Sequence, residues 1–310
     1  MLRSGLSALS DRVDSKFLTA YWLPAFVAVL GGTLILAQLL GWDRMETWIG
    51  DLDSAEQSIG AILVLLQITM IAFILRALTQ VIVEFFSGTA MPRTLAEWST
   101  EGQRRAKAAT TRMLGGNLLR ADSAPLSRPA AQRLNQLFPM EDADLQPTSF
   151  GNVMARAGEH PRIAYAMEGN LWWPRLAPLL PSYFQDILGG GQAPLMALLN
   201  LSVVFAGLAL FGFAVLGVIG RSWIAAIVCL IGGGVLSRLC YRAAISQAVT
   251  TATMLEVAFD LFRYEILKQL DVDVPADLTA ERELWQRLSR QLLDLPPALK
   301  RDDAQPAPAP

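Results

Sequence analysis

Histidine and cysteine are scarce in this sequence. The 310 residues include one histidine, His160, and two cysteines, Cys229 and Cys240. A single histidine leaves little scope for a histidine-based metal site or a Ser-His relay. We interpret His160 as a surface turn residue, because Pro161 follows it directly. The cysteines lie in one apolar segment, about 16 Å apart along a helix at about 1.5 Å per residue, so they cannot form a disulfide within that helix.

Motifs typical of catalysis are also missing. The sequence has no glycine-rich phosphate loop, no HExxH, no CxxC and no pair of aspartates inside its apolar segments. We therefore expect no enzymatic activity, no cofactor and no metal ion. The acidic residues Glu141, Asp142 and Asp144 lack the spacing and the glycine of an EF-hand loop, so we expect a solvated loop there.

Charge is the third scarcity, and it is uneven along the chain. Only 17% of the residues are charged and 53% are hydrophobic, against about 25% charged in an ordinary soluble domain. Four stretches are almost free of charge: residues 17–42, 58–75, 192–220 and 222–237. A helix needs roughly 20 apolar residues to cross a hydrocarbon core about 30 Å thick. The pattern predicts an all-α integral membrane protein with four transmembrane helices and an α-helical cytoplasmic module.

Lys and Arg residues set the expected orientation. They cluster before the first stretch, after the second, before the third and after the fourth, whereas the opposite side has few. The clustered residues are Arg3, Arg12, Lys16, Arg76, Arg93, Arg104, Arg105, Lys107, Arg175, Arg238 and Arg242, and the opposite side has Arg44 and Arg221. By the positive-inside rule, both termini and the central region are expected in the cytoplasm, with the chain in the inner or plasma membrane.

Six segments follow from this topology. They are a cytoplasmic N-terminus at residues 1–16, a transmembrane hairpin at 17–86, a cytoplasmic helical region at 87–191, a second transmembrane hairpin at 192–248, a cytoplasmic helical extension at 249–300, and a tail at 301–310. The tail is rich in proline and alanine, and we expect it to be disordered.

Glycines recur in three of the four spans. They are Gly31, Gly32, Gly207, Gly212, Gly217, Gly220 and Gly232–Gly234. Small residues let helix backbones approach closely in lipid. Two interpretations stay open: packing within one four-helix bundle, or a subunit interface or flexible pore-lining helix. A further run, Gly189–Gly191, is expected to form a flexible joint before the third span.

Polar residues at the inner edge of the spans are the candidate site residues. Arg76, Gln80 and Glu84 are spaced by four and are expected on one helix face. They are either a snorkelling arginine with a solvated carboxylate, or the polar lining of a conduction path. Arg238 and Arg242 would then lie at the inner mouth of that path.

Two spans are expected to continue as longer helices. The fourth has no Gly or Pro break up to about residue 270, which gives a helix about 70 Å long at about 1.5 Å per residue. Glu256, Asp260 and Arg263 are spaced for ion pairs on one face of it. The second span is expected to run on through residues 81–86.

The central region begins with a predicted amphipathic helix at residues 93–120. Its basic residues either contact anionic lipid headgroups or form a solvated face. The candidates for headgroup contact are Arg104, Arg105, Lys107 and Arg112. A short helix is predicted at residues 130–137. One basic stripe with one aromatic residue is thin support for nucleic-acid binding, and the net charge of −2 gives none.

The last helices carry aromatic residues. A helix capped by Thr148 or Ser149 is expected to end at Pro161. The aromatic side chains of residues 172–184 are expected to press on the bilayer or on the helical extension. A tail helix at about residues 280–293, capped by Asp277 or Thr279, is expected to fold back on that extension.

Several short motifs carry a family resemblance. They are PT-x-x-GN at residues 147–152, WPRL at 173–176, LP at 180–181, AFDLFRYEILKQL at 258–270 and ERELW at 281–285. The chain resembles uncharacterised bacterial multi-pass membrane proteins with such motifs. The resemblance implies topology and a family-specific fold, and it transfers no activity and no site.

The function expected from the sequence is non-enzymatic. The chain would act as a scaffold, sensor or regulator through its cytoplasmic helical module, and the alternative is a homo-oligomeric ion channel or pore. The expected partners are membrane lipids and either a second copy of the chain or another protein; no nucleic acid is expected.

Overall fold

The computed structural model describes residues 15–118, 134 and 136–294. Every regular element in this part of the chain is helical. Two compact units are present: Met1–Arg156 with Pro181–Leu255, and Ala157–Leu180 with Glu256–Pro310. The tail at residues 301–310, most of the short helix at 130–137, and Arg3 and Arg12 lie outside the described residues.

Ten helices, α1 to α10, are numbered here in chain order among the described residues. They are α1 Ser15–Leu40, α2 Trp42–Gly50, α3 Ser54–Ala77, α4 Thr79–Ser87, α5 Arg93–Leu118, α6 Ser149–Tyr165, α7 Gly169–Leu176, α8 Ser182–Ile219, α9 Trp223–Gln269 and α10 Leu278–Asp294. Of these, α1, α3, α8 and α9 are long and apolar enough to cross a membrane. The prediction of four spans in an all-α chain is confirmed, and it indicates a multi-pass membrane protein.

Helix α8 is central to the membrane bundle of the first unit. It runs parallel to α1: the Asn200 side chain donates to the Ala20 carbonyl at 2.8 Å near one end, and Leu39 contacts Gly220 at the other. It runs antiparallel to α9, where Ser202 donates to the Ser237 carbonyl at 3.1 Å. Helix α3 packs against α1, and the rings of Phe17 and Phe73 are 5.4 Å apart.

The span glycines divide into two groups. Gly31, Gly212, Gly217, Gly220 and Gly233 touch other residues of the bundle. At Gly233 an added Cβ would lie 2.7 Å from the Ala209 Cβ and 2.9 Å from the Phe205 carbonyl oxygen. An added Cβ would meet nothing within 4 Å at Gly32, Gly207, Gly232 and Gly234. Packing within the bundle therefore accounts for only the first group.

The second span is interrupted sooner than the sequence predicts. Helix α3 ends at Ala77 and α4 begins at Thr79, with Leu78 at φ −85° and ψ 2° between them. Glycine and proline do not mark this break, so the sequence carries no local signal of it. The second interruption is at Gly88, which has a left-handed φ of 87° and follows the predicted run through residues 81–86.

The PT-x-x-GN motif attaches the start of α6 to the end of α4. Thr148 caps α6, since its Oγ1 accepts from the Gly151 amide at 2.9 Å. The same hydroxyl donates to the Phe86 carbonyl at 2.5 Å. Gly151 lies so close to α4 that an added Cβ would be 2.2 Å from the Ser87 carbonyl oxygen. Asn152 is fully buried, and its side-chain Oδ1 accepts from the backbone N–H of Gln146 at 2.7 Å. Each polar or small residue of the motif thus has a packing role.

Two expected interruptions are absent from the backbone. Helix α6 continues past Pro161 to Tyr165, so the predicted end at this proline is wrong. Proline removes one helical hydrogen bond, but Pro161 is fully buried and contacts Gly169, which gives it packing in return. The expected joint at Gly189–Gly191 lies inside the unbroken helix α8. At these glycines, side chains of other helices approach the α8 backbone instead. For example, the Gln247 side chain donates to the Gly191 carbonyl at 3.2 Å.

The second unit is built on the last turns of α9, which is 47 residues long, as the sequence predicts. Helix α10 is capped by Asp277, whose carboxylate accepts from the Ala280 amide at 2.8 Å. Trp172 of α7 and Trp285 of α10 are fully buried, with ring centroids 5.0 Å apart in a T-shaped arrangement. The expectation that α10 folds back on the helical extension is confirmed by the ion pair between Arg263 and Glu281.

Candidate functional site

The polar face predicted on the second span is split between two helices. Arg76 is in the last turn of α3, whereas Gln80 and Glu84 are in α4. The Gln80 amide donates to the Glu84 carboxylate at 3.0 Å. The Arg76 guanidinium instead lies 5.8 Å from the centre of the Phe17 ring on α1. No described contact joins Arg76 to the other two.

The two arginines of the predicted inner mouth lie on exposed faces of α9. The Arg238 guanidinium is 5.5 Å from the ring centre of Tyr241, its neighbour on the same helix. That ring in turn stacks on Phe86 of α4, with centroids 5.4 Å apart. Arg242 is exposed, and no contact within the described residues brings it or Arg238 to Arg76.

Three of the four candidate headgroup contacts on α5 have acidic partners in the protein. Arg104 and Arg105 both bond Glu101, at 3.1 and 3.2 Å. Lys107 donates to the Asp142 carboxylate at 2.6 Å, and its hydrogen bond and charge lower the pKa of Asp142. The Asp142 side chain is still 62% exposed, as expected of a solvated loop, although it has this partner on α5.

The fourth candidate, Arg112, is exposed. Residues 104–120 include no acidic residue, but Glu101 lies one helical turn before them. Helix residues three and four apart are neighbours, so the spacing of Glu101 from Arg104 and Arg105 is the local signal that predicts these ion pairs.

A polar cluster in the second unit centres on the Asp260 carboxylate. Its Oδ1 lies 2.8 Å from His160 Nε2 and accepts from the Tyr165 hydroxyl at 2.7 Å. Burial and the bond to Asp260 raise the pKa of Tyr165 to about 12. The prediction of His160 as a surface turn residue is wrong, because α6 continues through it and presents its ring to α9.

A second carboxylate, Glu281, is held by three donors. Arg263 Nε donates to it at 2.6 Å, the Tyr264 hydroxyl at 2.9 Å and the Trp285 indole at 3.2 Å. Burial alone raises the pKa of Glu281, but these three hydrogen bonds outweigh burial and the pKa is lowered. Glu281 is therefore ionised at neutral pH although its side chain is almost entirely buried.

Arg263 connects the Glu281 carboxylate to the backbone of Asp260. Its guanidinium donates to Glu281 and to the backbone carbonyl of Asp260, and it lies 4.0 Å from the ring centre of Tyr165. The ion pair expected between the side chains of Asp260 and Arg263 on one helix face is thus replaced by bonds to α6 and α10. The partners of Asp260 are about 100 residues away in sequence and that of Arg263 is 18 residues away, so spacing along α9 does not predict either.

The aromatic residues around this cluster lie inside the protein. The Trp172 indole donates to the Ser289 hydroxyl at 2.9 Å, and the ring centroids of Trp173 and Phe259 are 6.1 Å apart. For Trp172 and Trp173 the expected contact with the helical extension is observed, whereas Tyr183 is 60% exposed. The WPRL, AFDLFRYEILKQL and ERELW motifs therefore supply the core and the polar cluster of one unit.

The buried polar groups of the cluster all have hydrogen-bond partners. Among the described residues, no buried side-chain nitrogen or oxygen lacks a hydrogen-bond partner. Over the same ranges, no three His, Cys, Asp or Glu side chains converge to hold a metal ion. The arrangement fixes one conformation of α6, α9 and α10 rather than presenting an unpaired reactive group.

No protein-family model matches the chain, and no curated protein or solved structure matches it either.

Proposed function

We propose that this chain is a non-enzymatic integral membrane protein that acts as a scaffold, sensor or regulator through an α-helical cytoplasmic module. The core of the module is the second unit, residues 157–180 and 256–294. The chain would lie in the inner membrane of a bacterium with both termini in the cytoplasm, among the uncharacterised multi-pass proteins that it resembles. The bias of Lys and Arg around the four spans supports this orientation.

The observation that carries the proposal is the Arg263–Glu281 ion pair inside an aromatic core. A buried charge pair is costly unless both partners are fully hydrogen-bonded. Here Glu281 has three donors, and Trp172 and Trp285 close over the same region. Such a core holds a surface in one shape, which suits recognition of a partner, and its own polar groups are already occupied.

The exposed side of α9 in this unit offers a contact surface. Leu261 is 63% exposed, although it lies in a helix whose neighbours Ala258 and Phe259 are buried. Leu261 therefore presents an apolar side chain to a partner that packs on this side of α9.

Photo-crosslinking in cells tests this proposal. A photoreactive amino acid would replace Leu261 in one variant and the exposed, charged Glu283 in a matched control. We expect a discrete adduct from position 261 and none from position 283, and the added mass distinguishes a second copy from another protein. Trp285→Ala, which opens the core, should abolish the adduct. A chain that is strictly monomeric and forms no adduct at position 261 would contradict the proposal.

The second candidate is a homo-oligomeric channel or pore. The observation in its favour is that an added Cβ would meet open space at Gly232 and Gly234 of α9, on a helix that also carries exposed Arg238 and Arg242. A second copy of α9 could approach closely there and bring these arginines to a shared path. Planar-bilayer recording tests it: Arg238→Glu should change ion selectivity. Reconstituted protein that conducts no ions would exclude this function.

A further inference from the structure

A small basic cleft opens in the first unit where α1 begins and α3 ends. Its volume is about 260 Å³, below the roughly 300–1,000 Å³ of sites for drug-sized ligands. Lys16 of α1, Arg76 of α3 and Gln192 of α8 contribute to its walls, with Tyr21 and Met196 deeper along the same helices. Three membrane-spanning helices therefore meet around two cations.

The cations are positioned by specific packing. Arg76 lies over the Phe17 ring, and no described carboxylate lies within ion-pair distance of it. The Lys16 ammonium rests against Gly189 of α8, where an added Cβ would be only 2.6 Å from its nitrogen. The glycine thus makes room for the lysine head. This gives Gly189 a role that the expected flexible joint does not explain.

Neutral donors complete the lining. The Tyr21 hydroxyl lies 3.1 Å from Thr79 Oγ1, and Tyr21 lines the cleft. Gln192 adds an amide group. Among the described residues, Asp186 has its carboxylate 3.8 Å from the Lys16 ammonium, and the Asp186 side chain is 81% exposed. It is a weak, solvent-screened competitor for the lysine.

We propose that this cleft binds the phosphate of an anionic headgroup. Two cations with hydroxyl and amide donors match a phosphate, and an opening between helices beside the apolar spans suits a lipid whose chains lie along α1 and α8. This site is distinct from the basic face of α5, where three of the four candidates already have acidic partners. The shared chemistry is a phosphate-bearing anion, which a lipid such as phosphatidylglycerol or inorganic phosphate supplies.

Native mass spectrometry of the full chain in detergent tests the proposal, with phosphatidylglycerol, phosphatidylcholine of the same acyl chains, and inorganic phosphate as probes. The wild type should retain phosphatidylglycerol in preference to phosphatidylcholine. Arg76→Gln and Lys16→Gln should each weaken phosphatidylglycerol binding about fivefold, the equivalent of about 1 kcal/mol per charge. Arg242→Gln removes a cation outside the cleft and should leave binding unchanged.

Two neighbouring glycines provide a control that leaves the charge unaltered. Gly189→Ala should displace the Lys16 ammonium and weaken phosphatidylglycerol binding, whereas Gly190→Ala adds a Cβ in open space and should not. Asp186→Asn should strengthen binding. Unfolding temperatures in phosphatidylcholine report whether each variant is folded.

The competition arm separates the two sources of phosphate. Phosphatidylglycerol retained in the presence of millimolar inorganic phosphate identifies a lipid headgroup site. Displacement by inorganic phosphate identifies a site for the free anion. Equal retention of both lipids without any effect of inorganic phosphate, or an equal loss of binding in Arg76→Gln and Arg242→Gln, would overturn the proposal.

Discussion

The membrane bundle and the second unit achieve close packing by opposite means. Each span has an 18-residue apolar stretch, and the share of that stretch buried within the protein is 28% for α1 and α8, 17% for α3 and 6% for α9. In the second unit, Trp172, Leu267 and Trp285 are fully buried. Lipid tails are as apolar as leucine, so a span gains little by burying such side chains and packs through small residues. The second unit instead encloses its large apolar groups, which is what the proposed cytoplasmic location requires.

The two units also differ in how they bond their polar groups. The bundle uses single neutral hydrogen bonds, such as Asn200 to the Ala20 carbonyl. The second unit buries an ion pair, Arg263 with Glu281, and surrounds it with further donors. Large substitution effects are therefore expected at aromatic and charged residues in one unit and at glycines in the other.

The largest effect should come from Trp285→Ala. Removing a fully buried tryptophan costs about 3–5 kcal/mol of unfolding free energy, because it leaves a cavity against Trp172. Hydrogen exchange of peptides from residues 157–180 and 256–294 should accelerate, while peptides from α1 and α8 should not change. The control is Trp98→Ala, since Trp98 is 80% exposed; equal acceleration in both variants would contradict the proposed core.

Next in size is Glu281→Gln. Breaking a buried pair by removing one partner costs about 3–5 kcal/mol, and the lower end applies here because glutamine keeps part of the hydrogen bonding. The pKa of Glu281 is lowered by folding, so its stabilising effect is present above its ordinary pKa of 4.5 and is lost as the pH falls through the folded-state pKa.

A pH titration of the same peptides' hydrogen exchange measures this effect. The wild type should lose protection in the second unit below about pH 4.5. Glu281→Gln should be less protected at neutral pH and lack that acid step. Glu283→Gln, at an exposed position of the same helix, serves as the control. An acid step of unchanged size in Glu281→Gln would show that another carboxylate is responsible.

A smaller effect is expected in the bundle from Gly233→Ala. The new methyl group would clash with Ala209 and with the Phe205 carbonyl, and such overpacking costs about 1–3 kcal/mol. Gly232→Ala adds the same group in open space and should be neutral or stabilising by up to about 1 kcal/mol. Thermal unfolding in detergent ranks the two variants, and the reverse order would mean that α9 does not pack on α8 through Gly233.

The smallest effect should come from Tyr165→Phe. It removes one hydrogen bond to Asp260, worth about 1 kcal/mol, while His160 remains within bonding distance of the same oxygen. The pKa of Tyr165 is raised to about 12 by folding, so its contribution holds below its ordinary value of 10 and is lost as the pH rises toward 12. Alkaline unfolding between these values should therefore be less steep in the variant; an identical profile would exclude Tyr165 as the titrating group.

The sequence predicts the helices well because lipid and water each impose a visible pattern on it. Uncharged runs locate the four spans, and the absence of Gly or Pro after Gly234 predicts the length of α9. The Asp277 cap is also readable from its position before α10. These signals are local, so neighbouring residues suffice to find them.

The sequence predicts the polar cluster poorly because its contacts are distant in the chain. Asp260 finds its partners on α6, and Arg263 finds its partner on α10, so spacing along α9 alone points to the wrong pairs. One signal is available: Glu281 falls on the apolar stripe of α10 with Trp285, and an acidic residue on such a stripe requires a buried cation. The break at Leu78 has no comparable signal.

The short apolar part of α9 has a consequence for the bilayer itself. Between Trp223 and Arg238 the helix offers about 22 Å of apolar length at about 1.5 Å per residue, whereas the hydrocarbon core is about 30 Å thick. Residues 17–40 of α1 exceed that thickness. The apolar length of α9 is therefore shorter than the hydrocarbon core is thick, and that of α1 is longer. Beside α9 the lipid must thin or the Arg238 side chain must extend toward the headgroups, whereas beside α1 the helix must tilt or the lipid must thicken, each at fractions of a kcal/mol per Å.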